Sequence, residues 1–249
     1  MPEITILHTN DLHGKLSNHA AEIIAREKAR SPNVLLLDAG DAVASGNIYY
    51  RPGGEPVLTL MSELGYDAMA MGNREFHFLA PGLKSKISLA RFPILAANLR
   101  SRSDDLGSSV ASSIMREVAG LSIAIFGLCV PMITKSMLSS KVSPFWFEDP
   151  LETAHSLVPM LREKADLLIG LTHIGVQADE ELARSVDGID LIVSGHTHAV
   201  MPEPKIIGNT AIVQAGWWGH YLGKVRISFG PGGREIHGEL VDLHSQEST

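Results

Sequence analysis

Short apolar runs rich in β-branched residues alternate along this chain with stretches whose apolar positions recur every three or four residues. Residues 3–9 alternate and are rich in Ile and Thr, which predicts a strand. Residues 17–30 place Ala21, Ile24 and Ala25 at helical spacing behind Ser17, a side chain suited to an N-cap. Residues 34–38 form a short apolar strand, 55–64 a helix stopped by Gly65, 67–71 a strand, 79–90 a helix and 93–97 a strand. Residues 112–117 and 121–128 flank Ala119-Gly120 and predict a hairpin. Residues 150–165 read as a helix that Pro159 would kink or split. Residues 167–172 predict a strand, 179–186 a helix and 189–193 a strand. After that the pattern turns to strands alone, at 211–214, 223–229 and 235–242, with Pro231-Gly232-Gly233 as a turn and a polar, frayed tail after Leu243.

Strands alternating with helices imply an α/β fold with a largely parallel or mixed sheet, and the late strands imply a second sheet or a mixed edge. With 249 residues, 45% of them hydrophobic, the chain can bury a sizeable core. The formal charge of −7 is spread without an acidic or basic block, so no nucleic-acid partner is expected. No run of apolar residues is long enough to span a membrane. The start, MPEITILHTND, lacks the pattern of a secretory leader, and the single Cys129 reads as a small core side chain, so a cytoplasmic protein is the expectation.

The chemistry clusters just past the strand ends. Asp11 and His13 follow the first strand, Asp41 the second, Asn73 the third, His173 a later one, and His196 and His198 the next. In open α/β sheets, sites form beyond the carboxyl ends of the strands. Taken singly, each motif is an ordinary turn. Five strand ends delivering Asp, Asn and His together point to metal. Imidazole with carboxylate and amide oxygen suits Mn, Zn, Fe, Ni or Co, and the absence of thiolate excludes a Cys-type structural zinc site. Two such ions about 4 Å apart can share a hydroxide and make it nucleophilic near neutral pH.

The ordered motifs ILHTNDLHG, GD, GN-x-EF, LTH-x-G and GHTH resemble the calcineurin-like metallophosphoesterases, in the branch that contains the 5′-nucleotidase catalytic domain. The resemblance runs from Ile4 to Val241. It implies a four-layer sandwich of two mixed β-sheets flanked by helices, formed by one domain over residues 1–249. It also implies that Asp11, His13 and His198 hold one divalent ion and Asn73, His173 and His196 the other, with Asp41 bridging; manganese is the first candidate.

Two departures from the branch stand out. Its catalytic His and Asp, beside and beyond Asn in GN-x-EF, are here Arg74 and His77. Arg74 cannot give up a proton but can hold phosphate oxygens, and His77 could take over acid–base work. The second departure is that the nucleobase-binding C-terminal domain of those nucleotidases has no counterpart in these residues. Trp217, Trp218 and Tyr221 lie near the site, suited to packing between the sheets or to stacking on a base or sugar. Trp218 and His220 are candidate substrate-binding residues along with Asn73 and Arg74. The loops 41–56 and 131–147 are candidate pocket walls, while His8, His155 and His237 read as structural and His19 and His244 as surface residues. The expectation is a phosphomonoesterase acting on a nucleotide-like or other small organophosphate, with a phosphodiesterase or a non-catalytic metal protein as the alternatives.

Overall fold

The computed structural model describes residues 2–30, 33–102, 109–231 and 233–244; Gly232 of the expected turn and the tail from residue 245 lie outside them. The first half winds as strand and helix in turn: β1 (Glu3–Thr9), α1 (Asn18–Ala29), β2 (Val34–Asp38), α2 (Pro56–Glu63), β3 (Ala68–Ala70), α3 (Ala80–Ile87), β4 (Ile94–Leu95), β5 (Leu99–Ser101) and β6 (Val110–Ala111). The second half runs β7 (Ser113–Val118), β8 (Leu121–Cys129), β9 (Phe145–Phe147), α4 (Pro150–Arg162), β10 (Leu167–His173), α5 (Val176–Ser185), β11 (Leu191–Ser194), β12 (Lys205–Ile207) and β13 (Thr210–Val213). The chain then returns with β14 (Tyr221–Gly230) and β15 (Gly233–Asp242).

Two mixed sheets result, ordered β15-β14-β1-β2-β3-β4-β6 and β12-β13-β11-β10-β8-β7, with a small β5-β9 ribbon beside them. The period of two in the strands sorts side chains between layers. Ile4, Ile6, Leu35 and Leu37 face Ile123, Ile125, Ile169, Leu171 and Val193 in an aliphatic layer between the sheets. Their neighbours Leu7 and Leu36 turn outward against Ile23, Ile24, Leu58 and Met61 of α1 and α2. Ala124, Phe126, Leu168 and Ile192 turn outward on the other sheet against α4 and α5. This is the expected four-layer α/β sandwich.

Local signals act as read in several places. The Ser17 hydroxyl accepts the Ala20 N–H at 3.1 Å, and Asp149 caps α4 by accepting from Leu151 and Glu152. Ala119 and Gly120 both have positive φ, which closes the β7-β8 hairpin. Pro159 lies inside α4 without splitting it. The strands expected at 67–71 and 93–97 shrink to their central residues. Asp67 lies just before β3, where its N–H donates to the Leu36 carbonyl and its carboxylate accepts the Leu36 N–H, both at 2.8 Å. The helix expected at 179–186 begins earlier, at Val176.

His8 is structural, as read. Its ring is buried beneath Gly223, where a Cβ would meet Nε2 at 1.9 Å. Burial pulls its pKa down to about 3. The unfolded chain takes up that proton below about pH 6.5 while the folded chain does not, so stability present above pH 6.5 is lost as pH falls toward 3. Asp38, pushed up by burial, acts with the opposite sign, so the informative comparison is against a variant. Between pH 7 and 4, wild type should lose roughly 3 kcal/mol more than His8→Leu. Denaturant unfolding at both pH values measures this, and equal losses in the two proteins would show that His8 is protonated in the fold.

Candidate metal centre

The expected ligands meet at one rim, delivered by both sheets. Asp11, Asp41 and Asn73 follow β1, β2 and β3 of the first sheet; His173 ends β10, and His196 and His198 follow β11 of the second. His198 Nε2 lies 3.2 Å from Asp11 Oδ1 and 3.2 Å from His13 Nε2. His173 Nε2 lies 3.5 Å from Asp41 Oδ1, and His196 Nδ1 lies 3.1 Å from Asn73 Oδ1. Two triads have ligand atoms mutually within 4.8 Å: Asp11-His13-His198 and Asp11-Asp41-His173. Asp11 is the side chain common to both, while Asp41 lies between His173 and Arg74.

The donors suit divalent ions. Asp11 Oδ1 and His173 Nε2 are buried without a hydrogen-bond partner. Leaving such atoms unmatched costs about 1–3 kcal/mol each, a cost that a coordinated ion removes. The tautomer of His173 is set from behind: Nδ1 donates to the Ala39 carbonyl at 2.8 Å, which turns Nε2 toward the cluster. Burial would lower the His173 pKa, but the Asp41 carboxylate outweighs it and pushes it up to about 9. The same pairing holds Asp41 below the usual carboxylate range despite its burial.

The backbone is bent to make this arrangement. Among the described residues, positive φ at non-glycine positions occurs at Asp11, His13, Asp41, Ala119, His196, His198 and Trp218. All but Ala119 belong to the ligand set or its border. Each such residue costs on the order of 1–3 kcal/mol and persists only where its surroundings fix it. Much of that fixing comes from residues that the motif reading passed over. The buried Glu75 carboxylate accepts the N–H groups of Asp41 (2.9 Å), Val43 (3.0 Å) and Gly72 (2.8 Å). Asn10 donates to Asp11 Oδ2 (2.8 Å) and the Gly216 carbonyl (2.6 Å) and accepts from the Ala215 N–H (2.8 Å). Asp38 accepts from the Thr9 hydroxyl and the Gly40 N–H. Gly72 has no room for a side chain, since a Cβ there would meet Asp41 at 2.3 Å.

Lys86, fully buried in α3, also lay outside the motifs. Its ammonium donates to the carbonyls of Gly46, Arg74 and Phe76, so it ties the 41–56 wall to the loop that carries Asn73. Burial pulls its pKa down to about 8 against the pull of Glu75 and Glu55.

The remaining candidates divide. Arg74 is at the rim: its N–H donates to Asp41 Oδ1 at 2.7 Å and its Nε lies 3.8 Å from Asp41 Oδ2. His77 is buried in the wall, where Nδ1 accepts the Leu79 N–H at 3.0 Å and the ring packs on Phe78 and Tyr50. Trp217 stacks on His198 with ring centroids 5.8 Å apart, and His220 lies 5.4 Å from Trp217 on its other contacts. Trp218 is 48% exposed, so it does not pack between the sheets as one reading expected. The 131–147 wall is partly strand, since β9 pairs with β5.

Glu75 offers the clearest test of this support. Glu75→Ala strands three buried N–H groups and should cost roughly 3 kcal/mol or more. It should also weaken metal uptake, because Asp41 loses its backbone anchor. Calorimetric metal titration and thermal melts check both, and wild-type values in each would remove Glu75 from this role.

Comparison with known proteins agrees with this geometry. Residues 4–200 match the calcineurin-like phosphoesterase family. The chain is 34% identical to the trifunctional nucleotide phosphoesterase protein YfkN of Bacillus subtilis, over 91% of this chain and 18% of that protein. It is 30% identical to the human 5′-nucleotidase, over 98% of this chain and 50% of that one. Among solved structures, the 5′-nucleotidase precursor from Thermus thermophilus superposes with a TM-score of 0.81 at 28% identity, covering 97% of this chain and 54% of that chain. The chain thus spans about half the length of the nucleotidases it matches, or less of the longer YfkN. With the sheets, the strand-end ligands and the matched residues in agreement, the chain belongs to the calcineurin-like phosphoesterase family.

Proposed function

We propose that this chain is a two-metal phosphoesterase that hydrolyses a phosphate monoester of a small, nucleotide-like compound. The observation that carries the reading is the clustering of Asp11, His13, Asp41, His173 and His198, joined by His196 against His173 and by Asn73 against His196, with partnerless buried donor atoms on Asp11 and His173. The relatives named as nucleotide phosphoesterase and 5′-nucleotidase support the substrate class. In this reading Asp11, His13 and His198 hold one ion, Asn73, His173 and His196 the second, and Asp41 is shared; the ligand types suit Mn, Zn, Fe, Ni or Co, with manganese the first candidate. When bound, such ions lower the pKa of water and neutralise phosphoryl oxygens.

The chain's own residues do the rest. Arg74 is held at the rim: its N–H donates to Asp41 Oδ1, and its guanidinium donates to the Ala44 carbonyl at 3.0 Å and lies 3.8 Å from Asp41 Oδ2, so in this reading it faces a phosphoryl group bound beside Asp41. There it stabilises charge on the phosphoryl oxygens without giving up a proton. His77 is occupied by the wall, its Nδ1 capping Leu79, so leaving-group protonation falls to water or His220. Esters with good leaving groups, which need no proton, should therefore be cleaved faster than alkyl esters.

Elemental analysis after loading should give close to two ions per chain, and Asp41→Ala should reduce that number. One ion per chain at saturation, unaffected by Asp41→Ala, would refute the shared site. A panel of phosphate monoesters and diesters with several divalent ions then identifies the reaction, and turnover of diesters alone would shift the reading to a phosphodiesterase. Arg74→Ala, with metal content held at the wild-type level, should lower kcat/KM by roughly 10²-fold. A rate within about twofold of wild type would exclude Arg74 from phosphoryl stabilisation.

A further inference from the structure

The segment from Gly216 to Gly219 is bent in a way that neither sheet requires. Gly216, Trp218 and Gly219 all have positive φ, and Trp218, at 58°, is a bulky residue in a region that L side chains rarely adopt. The Trp218 N–H donates to the carbonyl of Asp11 at 2.9 Å, so the bend is anchored on the ligand loop itself. Asn10 anchors the same segment from below through Gly216 and Ala215. The effect of the strain is to hold a large aromatic ring half in solvent. Trp217 stacks on His198 with the two planes 22° apart, and Trp218 meets Trp217 edge-on with centroids 6.4 Å apart. An aromatic array therefore runs outward from the His198 side of the metal centre and ends on an open face, where water wets an apolar surface that a ring would cover at a gain.

We propose that Trp218 is the platform on which the organic part of the substrate lies, and that the preferred esters carry a planar ring on the leaving-group side. This rests on the phosphoesterase reading and narrows it. In that reading the phosphoryl group lies among Arg74 and the ligand cluster, and Trp218 stands two ring contacts from His198, by way of Trp217. That reach suits a base joined to phosphate through a sugar, as in a nucleoside monophosphate, better than a ring bonded directly to the phosphate oxygen. A strained aromatic next to the ligands supplies stacking from within this domain. Stacking recognises the face of a ring and not its edge, so the site should accept several bases.

The test compares kcat/KM of the metal-loaded protein for adenosine 5′-monophosphate, phenyl phosphate and glycerol phosphate, which has no ring. Wild type should prefer the nucleotide over glycerol phosphate. Trp218→Ala should shrink that preference roughly 10-fold, mainly through KM, whereas Trp218→Phe should keep most of it. The loss should be larger for the nucleotide than for phenyl phosphate; the reverse order would assign the platform to aryl esters. Equal turnover of ring-bearing and ring-free esters by wild type would overturn the proposal and leave the phosphoesterase reading standing. So would a Phe variant as impaired as the Ala variant, which would trace the effect to the backbone. A preference abolished by Tyr49→Ala instead would move the platform to the 41–56 segment. If no ester is turned over, the phosphoesterase reading fails, and the platform is judged by fluorescence alone. Adenosine should quench tryptophan emission in wild type and not in Trp218→Phe, and no quench in wild type overturns it.

Discussion

Three backbone N–H groups from two loops point at one buried carboxylate, Glu75, and much of the metal centre hangs on that convergence. The loops after β2 and β3 have no ladder to hold them once the strands end. Glu75 supplies the missing acceptor inside the protein, where each N–H would otherwise stay unmatched. Burial and the nearby Asp41 carboxylate push the Glu75 pKa up, so the anchor is itself in an unfavourable electrostatic setting. Its bonds to the backbone and the cations around the rim offset that setting. Asn10 does the corresponding work between the first ligand loop and the Trp218 segment, with each end of its amide matched.

Strain and electrostatics act together at this rim. Ligand residues with positive φ present side chains at angles that a relaxed turn would not give, and the surrounding bonds fix them before any ion arrives. The charges alternate around the cluster: carboxylates of Asp11 and Asp41, the guanidinium of Arg74 beside Asp41, and the Lys86 ammonium one layer behind. Lys86 donates to carbonyl oxygens and so braces the loops, while its charge is felt by Glu75, Glu55 and Asp41.

The strand-end ligands were readable in the sequence because they combine an unusual residue type with a fixed place after an apolar run. The layers were readable because strands such as Ile4 to Leu7 and Leu35 to Leu37 alternate between two cores. The supports were not. Glu75 sits inside GN-x-EF, yet nothing local marks its carboxylate as an acceptor for Asp41 and Val43. Lys86 looks like any surface lysine of an amphipathic helix, and its burial follows from loops folding over it. Asn10 finds Ala215 only after the chain has built both sheets. The β5-β9 ribbon escaped for the same reason, since Leu99 pairs with Phe147 across a long excursion. Trp218 was ambiguous because aromatic character fits a core as well as an open face, and only the left-handed backbone decides between them.

The ligands come from two sheets, and the His173–Ala39 bond crosses the gap between them. The aliphatic layer of Ile6, Leu37, Ile169 and Leu171 is therefore a spacer that gauges the distance between the two halves of the ligand set. Close packing leaves that spacer little slack. A methylene added or removed well away from any reacting atom slides or parts the two sheets and alters the bite of the site. Residues of the buried middle are in this sense tuning elements for the chemistry at the edge, and their shape is constrained by reactivity as well as by stability.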